Sequence, residues 1–311
     1  MEQGAICLAV YRPDLPMLNK QIQSLKGQTL ENWKCIIGVD GEGTVNPDVL
    51  EDIIGDDERF EIHYFAENLG HYRNFERIIT LAKGHHWIAL CDQDDYWYPK
   101  KLELLVRELF RPGIVAATSQ AMAVSKSGKV ISQTNRRGMQ LNELLVNNDF
   151  TGCFSAFLPS VAEVALPFPK QKSASFHDHW LAVCSAALGE ISLIEKPLLD
   201  YTQHESNVTG EEVLTPVLGG ALKLRVQIGS IRKMAWFITT QRWGWRVEMA
   251  STLVGRTSFS PTKTATLAAF SRGVINLALL KEFVGVLTLR HVPVRRVVSN
   301  AVGATFWRFQ K

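Results

Sequence analysis

Asp92, Asp94 and Asp95 crowd three carboxylates into four residues of the segment IALCDQDDYWYPKKLELL, directly after an apolar run and directly before an amphipathic one. Carboxylates this close repel one another, and a hard divalent cation such as Mg²⁺ or Mn²⁺, bridging them to substrate phosphates, relieves that repulsion. The plainer alternative is that they cap the helix that starts near Pro99. A second acidic position, Asp178, lies between two histidines in FHDHWLAVCSAALG at the mouth of another amphipathic stretch. A carboxylate there can face a cleft and take the proton of an attacking hydroxyl. As a helix cap alone it would contribute about 1 kcal/mol. His177 and His179 point along different faces of such a helix, so at most one reaches the site.

Apolar runs and amphipathic stretches alternate over the first 120 residues, the pattern of a mainly parallel sheet with helices between its strands. Strands are expected at Ala5–Val10, Trp33–Val39, Phe60–Phe65 and His86–Cys91, with helices at Leu15–Gln28, near Tyr72–Ala82 and from Pro99 to Phe110. Further strands fit Val115–Val124, Thr151–Leu158 and Leu198–Tyr201, and a helix fits Asp178–Leu188. The strand ends are polar. In open α/β sheets ligands bind where strands end, so Tyr11, Arg12, Asp40, Asn68 and Asp92 to Asp95 are expected to converge on one site.

These segments also resemble known ones. DQDDYWYPKKL is similar to the signature of glycosyltransferase family 2, in its rhamnosyltransferase-like branch. AVYRPDLPMLNKQIQSLKGQTLENWKCIIGVDGEGT looks like that family's first βαβ unit, and ENLGHYRNF like its N-x-G-x-x-x-N-F element. The resemblance covers residues 5 to about 210. It implies a GT-A fold and an inverting, metal-dependent transfer of sugar from a nucleotide-sugar. Asp92 would contact the sugar or ribose, Asp94 would ligate the metal, and Tyr11, Arg12, Asp40, Asn68 and Arg73 would surround base and phosphates. Asp178 would be the base, Gly152 would admit the acceptor closely, and Trp180 of the HDHW string would contact substrate. His204, in DYTQHESNVTG, looks like the histidine that completes the metal's coordination. One departure is that relatives often carry two aspartates where this chain has Val39-Asp40-Gly41.

With 46% hydrophobic and 21% charged residues in 311, a packed core is expected, divided into a catalytic domain at 1–210 and a helical region at 211–311. Gly210–Gly220 reads as the linker. Five widely spaced cysteines form no zinc or disulfide pattern, and the N-terminus lacks a secretory signal, so a cytoplasmic setting is expected. No run of apolar residues is long enough to span a bilayer.

The net charge of +3 conceals an asymmetry. Residues 1–210 hold 19 basic and 27 acidic side chains, a balance of −8, and 211–311 hold 15 and 4, a balance of +11. In the basic part Trp236 and Trp243 share one helical face and Arg242 and Arg246 another, which suits a helix lying on anionic headgroups. A soluble subdomain or an oligomer contact would show the same pattern. Nucleic-acid-binding motifs are absent.

The leading expectation is a glycosyltransferase that moves a sugar, such as rhamnose from dTDP, to a lipid-linked saccharide in cell-surface polysaccharide synthesis, peripheral on the membrane's inner face. A sugar-nucleotide nucleotidyltransferase would need a glycine-rich loop where this chain has YRPDLPML. A binding module that has lost its chemistry is the other alternative.

Overall fold

The computed structural model describes residues 2–170, 175–203 and 236–307; His204 and the Gly210–Gly220 stretch fall outside them. The chain divides into two compact units. One comprises residues 1–139, 149–168 and 176–204, the other residues 140–148, 169–175 and 205–311.

The first unit is built on strands β1 (Gly4–Val10), β2 (Trp33–Asp40), β3 (Phe60–Phe65), β4 (Ile88–Cys91), β5 (Tyr96–Trp97), β6 (Ile114–Ser125), β7 (Val130–Gln133), β8 (Ser155–Phe157) and β9 (Glu190–Gln203). They form one mixed sheet in the order β3-β2-β1-β4-β8-β6-β9-β5, with β7 beside β6. The pairs β1–β2, β1–β4, β2–β3 and β6–β9 are parallel and carry the long registers; β4–β8, β6–β8, β6–β7 and β5–β9 are short and antiparallel. Strands β1 to β4 therefore end on one edge of the sheet, as the alternating pattern requires.

The helices of this unit are α1 (Leu15–Lys26), α2 (Pro47–Ile54), α3 (Gly70–Leu81), α4 (Lys101–Leu109), α6 (Pro159–Ala165) and α7 (His177–Leu188), with α5 (Leu141–Val146) belonging to the other unit. Helix α1 starts where the Asp14 carboxylate accepts from Met17 N at 3.3 Å, and it buries Leu18, Ile22 and Leu25 against the sheet. Sequence patterning missed α2, β5, β7 and α6, all short. It also ran the strand at 151–158 through a 3₁₀ turn, Gly152–Phe154, that precedes β8.

In the second unit a π-helical turn, Phe237–Trp243, runs into α8 (Gly244–Val254), followed by α9 (Pro261–Ser271), α10 (Leu277–Leu289) and α11 (Val294–Phe306). Its core is aromatic: the rings of Trp243, Phe270 and Phe283 pack with centroids 5.8 to 6.2 Å apart. Here the structure corrects the expected lipid-facing residues. Trp243 and Trp245 are fully buried, and the Trp243 indole donates to Gly273 O at 2.7 Å. The Arg246 guanidinium donates to Arg242 O at 2.7 Å, and burial pushes its pKa down. Only Trp236 of that set is well exposed. Among the described residues no helix is long and apolar enough to cross a membrane.

Candidate active site

The edge where β1 to β4 end gathers most of the expected residues. Gln93, from the acidic loop after β4, grips the chain after β1 on both sides: Tyr11 N donates to its Oε1 at 2.8 Å, and its Nε2 donates to Tyr11 O at 3.1 Å. Next to this clamp Arg12 adopts a positive φ of 42° and lies 5.3 Å from the Tyr11 ring centroid. A non-glycine residue in that region costs on the order of 1 kcal/mol and persists where the surroundings fix it. Gln93 was not singled out from sequence, because a lone glutamine between aspartates carries no periodic signal.

Of the carboxylates behind the clamp, Asp95 is buried and Asp92 and Asp94 are half-buried. Burial and the neighbouring Asp94 push the Asp92 pKa up to about 7, with Asp178 pushing the same way. Burial, then Asp94 and Asp92, raise Asp95 well above the usual carboxylate range. Asp95 Oδ1 accepts from Thr202 N at 3.0 Å, and among the described residues its buried Oδ2 has no hydrogen-bond partner. Ligand atoms of Asp92, Asp95 and Cys153 lie within 4.8 Å of one another. The Cys153 thiol, held protonated by burial and by the two aspartates, is a poor partner for a hard cation. The carboxylates of Asp92, Asp94 and Asp95 are the oxygen donors such an ion prefers, and the raised pKa values of Asp92 and Asp95 together with the orphaned Asp95 oxygen fit an added positive charge.

One cation already lies beneath them. Lys101, fully buried at the start of α4, donates to Cys153 O and has its ammonium 3.4 Å from the Trp97 ring centroid. Burial pulls its pKa down to about 8 against the opposing pull of Cys153, Cys91, Asp95 and Asp92. Lys101 is one turn before Leu105 on the apolar face of α4, and a lysine at an apolar phase was the signal that could have found it.

The first turn of α7 is close to these carboxylates, since Asp178 acts on the Asp92 pKa. A Cβ placed on Gly152 would lie 2.9 Å from His177 Nε2 and 3.5 Å from Asp178 Cβ, so the missing side chain there admits His177 and Asp178. The close approach expected of an acceptor sugar at Gly152 is made in this structure by these two side chains. The His177 ring stacks on Phe75 with centroids 4.0 Å apart and meets His71 edge-on at 5.7 Å. Burial keeps it uncharged, with a pKa well below the ordinary value. His179 is buried, so one histidine of the pair borders the site, as helical geometry required.

Four of the expected residues make hydrogen bonds within the protein. Asp40 is 1% exposed, and both its oxygens are engaged: Oδ1 accepts from Leu69 N at 2.9 Å and from Arg77 Nη2, and Oδ2 accepts from Gly70 N at 2.8 Å. It caps α3 from the neighbouring strand, because Leu69 at the cap position offers no side-chain acceptor. Asn68 Oδ1 accepts from Gly70 N at 3.0 Å in the same turn. Arg73 pairs with Glu76 and donates to Phe168 O at 3.3 Å, while Glu76 accepts from Phe168 N at 2.6 Å, so the pair fastens the chain after α6. Trp180 is fully buried, its indole donating to Ala165 O at 3.0 Å. His204 lies outside the described residues.

Comparison with known proteins gives this arrangement a family. The Bacillus subtilis protein EpsH is 36% identical over 230 residues, 67% of this chain and 63% of its own length. An uncharacterised glycosyltransferase of Nostoc sp. is 25% identical over 199 residues, 61% of this chain and 62% of its own. The chain thus spans less than two thirds of the length of these curated relatives. Residues 1–349 of Staphylococcus aureus TarS, solved with UDP-GlcNAc, superpose with a TM-score of 0.61 at 12% identity, covering 100% of this chain and 93% of that one. The Pyrobaculum calidifontis mannosyltransferase PcManGT, solved with GDP-Man and Mn²⁺, gives a TM-score of 0.51 at 14% identity, covering 100% and 88%. Those likenesses identify the mixed sheet as GT-A-like. The model for "Glycosyl transferase family 2" matches residues 5–164, from β1 through α6, and the chain belongs to that family.

Proposed function

We propose that the protein transfers a sugar from a nucleotide-sugar to a saccharide hydroxyl with inversion, using Asp178 as the general base. The observation that carries this reading is that Asp178 lies against Gly152 and close enough to the Asp92–Asp95 loop to raise the Asp92 pKa. A base on one side and a diphosphate site on the other is the arrangement that displacement at the anomeric carbon needs. Asp178 takes the acceptor hydroxyl's proton as that oxygen attacks. Tyr11 and Arg12, fixed by Gln93, border the nucleotide. Asp94, with His204 from outside the described residues, would hold Mg²⁺ or Mn²⁺ beside Asp92, which would contact the sugar or ribose, and the ion's charge would stabilise the departing diphosphate. TarS and PcManGT were solved with nucleotide-sugars, the latter with Mn²⁺, which supports both choices.

For the donor we favour dTDP-rhamnose, on the resemblance of DQDDYWYPKKL to the rhamnosyltransferase-like branch, and for the acceptor a lipid-linked glycan at the cytoplasmic membrane face. Residues 1–210 would carry the chemistry and 211–311 the membrane contact. A panel of nucleotide-sugars assayed for hydrolysis and transfer with Mn²⁺ or Mg²⁺ tests this. Turnover of one sugar nucleotide, lost in Asp178→Asn, is expected; a wild type inert toward all of them overturns the reading.

A further inference from the structure

Helices α10 and α11 each present a line of apolar side chains to solvent. On α10, Leu277, Leu280, Val284 and Leu287 recur at helical spacing, with Leu277 71% and Val284 59% exposed. On α11, Val294, Val298, Val302 and Phe306 fall every four residues, with Val294 63% and Phe306 50% exposed. Each helix buries a separate face: Leu279, Phe283 and Val286 on α10, and Val297, Asn300 and Ala304 on α11. Among the described residues the exposed lines are therefore surplus to the unit's core, and runs of this kind mark interaction surfaces.

The charges around them are of one sign. Along 277–307 the exposed charged side chains are Lys281, Arg290 and Arg295, while the acidic Glu282 is half-buried and accepts from Thr266 at 2.7 Å. Over the described residues 236–307 there are nine Lys or Arg and two Glu, a balance of +7. Lys281 follows Leu280 and Arg295 follows Val294, so cations border the apolar lines.

We infer that α10 and α11 form a face that lies on an anionic lipid surface, with the apolar lines entering the headgroup boundary and Lys281, Arg290 and Arg295 meeting phosphates. Helix α10 has 13 residues, about 20 Å of helix against a hydrocarbon core of about 30 Å, so it lies along the surface and does not cross it. A second copy of the chain is a worse occupant, because a two-fold contact through this face brings like charges together. The inference rests on the membrane placement proposed above and replaces the surface expected around Trp243, which is buried, and Arg246, whose guanidinium is turned back to Arg242 O.

Flotation of the full chain with phosphatidylcholine vesicles, with and without phosphatidylglycerol, tests it. Wild type should bind the anionic vesicles, and binding should fall as salt rises from ~0.1 M to ~1 M, where the Debye length shrinks from ~10 Å to ~3 Å. Leu280→Gln with Val284→Gln and Val298→Gln should weaken binding by roughly tenfold or more, as should Lys281→Gln with Arg290→Gln and Arg295→Gln, which should also flatten the salt dependence. Both variants alter exposed positions and should melt with the wild type. Binding of the apolar variant at wild-type strength overturns the face but leaves the membrane placement standing. Wild type that ignores anionic vesicles overturns both, and a dimer in sedimentation that the apolar variant dissolves makes a second copy the occupant. The sugar-nucleotide panel uses no lipid, so the transferase reading is judged separately.

Discussion

Asp178 and Asp94 are both acidic, both near Asp92, and are assigned different work, so their amide variants should fail differently. Asparagine in place of Asp178 keeps the side chain's shape at the start of α7 but cannot accept a proton. Turnover should fall roughly 10²- to 10⁴-fold, the usual contribution of a positioned base, with donor KM nearly unchanged. Helix α7 is not capped by Asp178: its cap position is Phe176, and Asp178 Oδ1 accepts from His179 N at 2.6 Å within the first turn. A folding defect is therefore not the expected outcome. Asp94→Asn should instead lose the metal-dependent part of donor binding. Steady-state kinetics with isothermal titration of the nucleotide, with and without Mn²⁺, separates the two. Equal losses of donor affinity would show that Asp178 does not act as the base.

At the scale of elements, the turn between β3 and α3 depends on a carboxylate from another strand. Asp40 serves two backbone N–H groups and the Arg77 guanidinium, which also lies 3.9 Å from the Phe65 ring centroid. Removing a buried charge from such a set leaves its partners unpaired, at about 3–5 kcal/mol. Asp40→Ala should thus lower the denaturation midpoint markedly, and Asp40→Asn should recover part of the loss by accepting one N–H bond. A melt like wild type in Asp40→Ala would return Asp40 to ligand binding. The example also shows what sequence carries and what it does not. Apolar period fixed β1 to β4, α1, α3, α4 and α7 to within a few residues, because each buries a regular face. The acidic loop and Asp178 stood out because charge crowding and helix position are local properties. That Asp40 faces α3, that Arg73 faces Phe168 and that Gly152 faces His177 are long-range facts, with partners 25 to 95 residues away. Short pieces such as β5 and β7 exist only through their sheet neighbours, and no periodic signal announces them.

For the molecule as a whole, protons and a divalent ion would compete for the same carboxylates, which links stability to pH. The pKa of Asp92 is about 7 in the folded chain against an ordinary value of 3.8, and that of Asp95 is raised as well. A folded acid that holds its proton more tightly than the unfolded one gains from acid conditions. Between those two values the folded state binds more protons, so stability falls as pH rises, and the loss is complete once pH passes the folded value. Without metal, the wild type should therefore lose more Tm between pH 6 and pH 8 than Asp92→Asn does, a difference in which the opposite contribution of the buried His177 cancels. Divalent cations bind the ionised carboxylates, so Mn²⁺ should restore more at pH 8 than at pH 6, where it must first displace protons. At an ion concentration about 100 times its Kd the gain is about 2.7 kcal/mol, or a rise in Tm of roughly 5–10 °C for a unit of this size. Scanning calorimetry of the full chain at both pH values, with Mn²⁺ and with chelator, measures this, and Asp94→Asn should lose the metal-induced rise at pH 8. Lys101 opposes the effect only weakly, because its pKa of about 8 leaves it half charged at pH 8 and its own contribution to stability changes chiefly above that pH. A rise in Tm equal at the two pH values, or larger at pH 6, would mean that the ion binds somewhere other than the Asp92–Asp95 loop.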